Sequence, residues 1–84
     1  MILKISSSQI KAARSLMNWS AQELAEKSGV GVATIRRFEG SKGIDSASIK
    51  SLNAVKACFE AAGIEFLGDP QKNPGVMLHI KQLD

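Results

Sequence analysis

Eighty-four residues, 44% of them hydrophobic, fit one small globular domain and exclude a disordered chain. The net charge of +3 is uneven, with +4 on residues 1–42 and −1 on residues 43–84, so the first half is the one suited to a polyanion. No apolar run is long enough for a bilayer, the N-terminus lacks a signal-peptide pattern and Cys58 has no second cysteine to pair with, so a cytoplasmic protein without a membrane partner or disulfide is expected.

The opening MILKI is a candidate extra strand. Ser6 and Gln9 then form a capping-box pattern, and Ile10, Ala13, Leu16 and Met17 recur on one face, which predicts a helix over about 7–17. Asn18 and Trp19 interrupt it. Ser20 caps a second helix with Glu23 as the capping-box acid, and Trp19 and Leu24 hold the positions of a hydrophobic staple. Gly29 and Gly31 would each cost a continuous helix about 1 kcal/mol relative to alanine. They therefore predict a break: the second helix ends near Ser28, Gly29 turns the chain, and a third helix starts near Val32. Two short helices about a glycine turn make a helix-turn-helix unit, with Ala25 small enough for a close crossing and Val30, Ile35 and Phe38 directed inward.

A loop of small residues, SKGIDSAS, follows, with Asp45 or Ser46 placed to cap a fourth helix. Ile49, Leu52, Val55, Phe59 and Ala62 form its stripe, Cys58 beside them reads as core filler, and Gly63 ends it. GIEFL and PGVMLHI flank the turn cluster GDPQKNP, which predicts a β-hairpin of about Glu65–Leu67 and Val76–Ile80. Val76, Leu78 and Ile80 would share one face, and Met77 and His79 the other. A lone hairpin is marginal in water, so it must pack on the helices or meet a strand of another chain.

The segments IKAAR, WSAQELAEKSGV and ATIRRFE resemble the Xre-type helix-turn-helix domains of phage repressors and Cro-like bacterial regulators, over roughly residues 6–62. The resemblance implies a mostly α, lambda-repressor-like bundle of about four helices, here with a C-terminal β-hairpin. One domain over 1–84 is expected, with the helical core at about 6–62 and the hairpin at about 64–81. The family's structural ion pair would fall on Arg14 and Glu39. Its docking mode would turn Val32, Ala33 and Arg37 toward DNA bases, and Ala21, Gln22, Thr34, Arg36 and Lys42 toward the backbone. Two positions depart from the family pattern: Ala21 stands where a glutamine often begins the second helix, and Gly31 where a serine or threonine usually caps the third.

Those departures shape the expected readout. Val32 and Ala33 offer only apolar contact to thymine methyl groups, which leaves Arg37 for bidentate contact with guanine. Arg36, Arg37, Lys42, Lys27 and Lys11 would supply phosphate attraction, which is blind to sequence. An enzyme is not expected, since the single histidine, His79, has no triad or metal company and GVGVAT follows a helix and lacks a third glycine. The favoured expectation is a sequence-specific transcriptional regulator, a repressor binding double-stranded DNA as a homodimer through the hairpin, with no cofactor, metal or small-molecule ligand. The alternative is a protein-interaction module, antitoxin-like or an adaptor subunit, using the apolar start of the third helix.

Overall fold

The computed structural model describes residues 5–40 and 49–80. Helices α1 (Ser7–Met17), α2 (Ala21–Ser28), α3 (Val32–Glu39) and α4 (Ile49–Ala61) precede strands β1 (Ile64–Leu67) and β2 (Gly75–Leu78). Both capping boxes form. The Ser6 hydroxyl accepts from the Gln9 N–H while the Gln9 side chain accepts from the Ser6 N–H, and Ser20 and Glu23 repeat the arrangement on α2. Asn18 ends α1 in the left-handed region at φ 59, and Gly29 ends α2 there at φ 77. At α3 the cap is Gly31, which supplies no side-chain hydrogen bond.

The elements pack as a ring. Helix α3 lies against α1 and α2, α2 against α4, α4 against β1, and β2 closes the circuit onto α1. In that order α3 and β1 stand opposite one another. Ile10, Leu24, Ile35, Val55 and Phe59 are the fully buried centre, and each element from α1 to α4 contributes to it. Trp19 extends the centre outward, its ring stacked on Phe59 at 5.5 Å, while Phe66 of β1 meets Phe59 edge-on at 6.0 Å. The hairpin is thereby tied to α4 through one aromatic residue.

Gln9 ties it to α1. This amide is 3% exposed, and its Nε2 donates to the carbonyl oxygens of Leu67 and Gly75 at 3.1 and 3.0 Å. Leu67 and Gly75 are paired residues at the turn end of the hairpin, so one side chain fastens both strands there. Between them the chain winds one tight turn. The Asp69 carboxylate accepts from the Gln71 and Lys72 N–H groups, and the Asn73 side chain accepts from the Asp69 N–H.

Several expectations need correction. Leu16 and Ile49, assigned to apolar stripes, are 45% and 53% exposed, so among the described residues no element covers either. The hairpin pairs Ile64 with Leu78 and Leu67 with Gly75, so β2 begins at Gly75 and ends before His79 and Ile80. Opposite them the chain at Ala62 and Gly63 is already turning out of α4 and offers a single further bond, the His79 N–H to the Gly63 carbonyl. Ile80 is left 78% exposed, whereas Val76 and Leu78 pack against the chain's own core. Ile5 is buried but belongs to no strand; residues 1–4 of the candidate extra strand, and the Asp45 or Ser46 cap, lie outside the described residues.

Candidate nucleic-acid interface

Helix α3 is short, and its two sides are sharply different. Ile35 and Phe38 are buried at 0% and 2% exposure, which fixes the opposite side, Ala33, Arg36 and Arg37, in solvent. Val32 and Thr34 are half-buried at the margins of that exposed stripe. The stripe therefore carries two guanidinium groups around one methyl group.

Two contacts from α1 hold the C-terminal end of α3. The Ser7 hydroxyl donates to the Phe38 carbonyl, one of the acceptors a helix end leaves unpaired. Arg14 grips Glu39 as a fork, Nε to Oε2 and Nη2 to Oε1, both at 2.7 Å, and its Nη1 also donates to the Trp19 carbonyl at 3.0 Å. The side chains of Arg14 and Glu39 are 24% and 11% exposed, so the pair is shielded and its geometry bidentate. The Glu39 hydrogen bonds, against the opposing pull of burial, raise the Arg14 pKa above its ordinary value, so the guanidinium stays charged. Glu39 is thus neutralised locally, and the exposed stripe keeps an undiluted positive charge.

The remaining site residues are placed as follows. Gln22 is exposed on α2 with its Nε2 donating to Glu26 at 3.4 Å, and Ala21 is half-buried at the helix start. Thr34 is turned to a neighbour: its Oγ1 accepts from Arg37 Nη2 at 3.2 Å. Lys11 is exposed on α1. Lys27 is exposed on α2 with its ammonium 5.2 Å from the centre of the Trp19 ring, which itself stacks on Phe59 of α4. Lys42 lies outside the described residues.

A helix-turn-helix family model matches residues 10–54, more than half of the chain. The chain belongs to the Xre-like helix-turn-helix family. It is a DNA-binding regulator of the helix-turn-helix type, and α3 is the element that this family presents to DNA. The matched span takes in the turn, α3 and, of the two α1 contacts to its end, Arg14 but not Ser7, while the hairpin lies beyond it. No curated protein matches the chain. Among the described residues no group of three or more His, Cys, Asp or Glu is placed to hold a metal ion, and no helix is long and apolar enough to cross a membrane.

Two contacts, that of Ser7 to the end of α3 and that of Gln9 to the hairpin, escape a reading by pattern. Ser7, one of three consecutive serines, carries no mark that separates it from Ser6 and Ser8. Gln9 already has a local role in its capping box, which hides its second role. Thr34 and Arg37 do carry a signal, their three-residue spacing on a helix, which brings side chains together.

Proposed function

We propose that the chain is a transcriptional repressor that recognises a specific operator as a two-fold homodimer. Val32, Ala33 and Arg37 face base edges in the major groove; Arg36, Gln22, the start of α2 at Ala21, and Lys42 meet the phosphate backbone. The observation that carries this reading is the solvent stripe of α3, two arginines about Ala33, on a helix whose own acid, Glu39, is neutralised by Arg14. Positive charge supplies the attraction to any duplex, and the arginine fork together with the small apolar surface supplies the choice among duplexes.

The dimer rests on the hairpin. Val76 and Leu78 serve the chain's own core, so the exposed apolar side chains left are Met77 at 47% and Ile80 at 78%, the latter in a groove lined by residues 60–63 and 78–80, Glu60 and His79 among them. Two-fold pairing there would double the positive surface and set a fixed spacing of recognition helices, which a palindromic operator requires. The test is an anisotropy titration, at about 50 and 200 mM salt, of a duplex selected by the intact protein from a random pool, alongside sedimentation equilibrium. The expected result is a selected sequence bound by two chains, with a steep loss of affinity at the higher salt. A monomer both free and on DNA removes the dimer; failure to select any sequence removes the specific operator and favours the protein-interaction reading, in which Val32 and Ala33 meet a protein.

A further inference from the structure

We infer that Thr34 positions Arg37 for base reading and is a specificity-determining residue of α3, not a phosphate contact. The inference rests on the base-reading role proposed above for Arg37. An exposed arginine is a poor reader by itself, because its long side chain visits many rotamers and most of them miss the base. Arg37 is not left in that condition, since its Nη2 donates to the Thr34 hydroxyl one helical turn back.

Thr34 suits that task. A β-branched side chain on a helix has few χ1 choices, and a half-buried one has fewer, so its oxygen is a fixed point. Helical side chains lean toward the N-terminus of their helix, so the bond to Thr34 holds the guanidinium toward the first turn of α3. That first turn is the part of a recognition helix that reaches base edges. One Nη2 hydrogen is used; the other, both on Nη1 and the one on Nε remain, enough for the N7 and O6 acceptors of guanine.

The adjacent arginine supplies an internal control. Arg36 is exposed on the same side, but three residues before it stands Ala33, which has no acceptor on its side chain, and four before it Val32, which has none either. Among the described residues no side chain accepts a hydrogen bond from Arg36, which leaves its charge available for a phosphate. Two neighbouring arginines are sorted into reader and anchor by the residue one turn earlier.

The experiment uses the full chain and a duplex it has selected from a random pool, in which single base-pair changes locate the pair whose preference disappears in Arg37→Ala. Thr34→Val keeps the branched shape and removes the acceptor; Thr34→Ser keeps the acceptor. Thr34→Val is expected to reduce discrimination at that pair about three- to tenfold, the scale of re-ordering one long side chain at an interface, with discrimination elsewhere and the melting temperature unchanged. Thr34→Ser should retain the preference, and Thr34→Val should have no further effect in an Arg37→Ala background. Equal weakening on all duplexes, or an undiminished effect without Arg37, assigns the hydroxyl to the backbone and overturns the positioning role alone. An Arg37→Ala chain whose preferences are intact at every pair overturns the base-reading assignment, and the positioning role falls with it.

Discussion

Gly29 and Gly68 have nearly the same φ, 77 and 74, one in the turn between α2 and α3 and the other where the chain leaves β1 for the hairpin turn. Their surroundings are opposite. A Cβ built at Gly29 has nothing within 4 Å, whereas one at Gly68 overlaps the Asn73 carbonyl oxygen. The helical turn thus needs glycine for conformation alone, and the hairpin turn needs it for conformation and for room. The difference extends to the regions around them: α1 and α2 have ends specified by near neighbours, while the hairpin has a tightly folded turn and is fastened to α1 by Gln9, 58 and 66 positions away from its two acceptors.

The strongest way to break this comparison is Gly68→Ala. It is expected to cost about 4 kcal/mol or more, in the range reserved for steric conflict with backbone, and to disorder the hairpin amides before the helices in hydrogen exchange. A cost close to that of Gly29→Ala would erase the contrast.

Next in size is the clamp. Arg14→Ala should cost about 3 kcal/mol by leaving the Glu39 carboxylate shielded and unpaired, while replacing Arg14 with Met and Glu39 with Leu together should be nearly neutral. Denaturant melts of the two single variants and the double variant measure this, and additive losses would show that the charges do not act as a pair.

Gln9→Ala should cost about 2 to 3 kcal/mol, because the Leu67 and Gly75 carbonyls and the Ser6 N–H lose their partner together. Proteolysis should then cut the hairpin turn faster than any site in α2 or α3. Equal protection of both regions would mean that the hairpin is held without the amide. Gly29→Ala is smaller, about 1 to 2 kcal/mol for a left-handed alanine in open space, and should lower the melting temperature without altering which region opens first.

The smallest effect is a rate. Partial burial raises the Cys58 pKa, against a weaker opposing pull from Lys27, so the folded state favours the neutral thiol. Any stability this contributes is present below the unfolded thiol's pKa and is lost as pH rises through the higher folded value. Alkylation of Cys58 at pH 8 should accordingly be slower in the folded chain than in urea, with the gap closing in strong base. Equal rates at pH 8 would place the thiol in an ordinary solvated setting.

The same contrast explains what could be read from the residues in advance. Capping boxes at Ser6 and Ser20 and the stop at Gly29 are written within four or five neighbouring positions, so the bounds of α1, α2 and α3 were legible. The hairpin was legible as a hairpin, but not its end, because Ile80 continues the alternation that suggests a strand while the chain opposite it, at Ala62, belongs to the turn out of α4. Apolar periodicity likewise marks Leu16 and Ile49 as candidates for burial without saying whether any element faces them. Lys27 counts as a positive charge in any sequence; only the packed structure sets it over the Trp19 ring.

The circuit of elements closes between its first helix and its last strand, and that has a kinetic side. Gln9 and Gly75 are 66 positions apart, so during synthesis at about 5 to 20 residues per second the amide waits roughly 3 to 13 s for its second acceptor. Over that interval α1, α2 and α3 can already meet through near-neighbour contacts, with a polar group on α1 still open to water. Contacts of such long range slow folding, since their chain entropy must be overcome before they form. A nascent chain of this protein therefore acquires its helix-turn-helix unit early and its closure late, and the last bonds to form are those between the side chain of Gln9 and the hairpin.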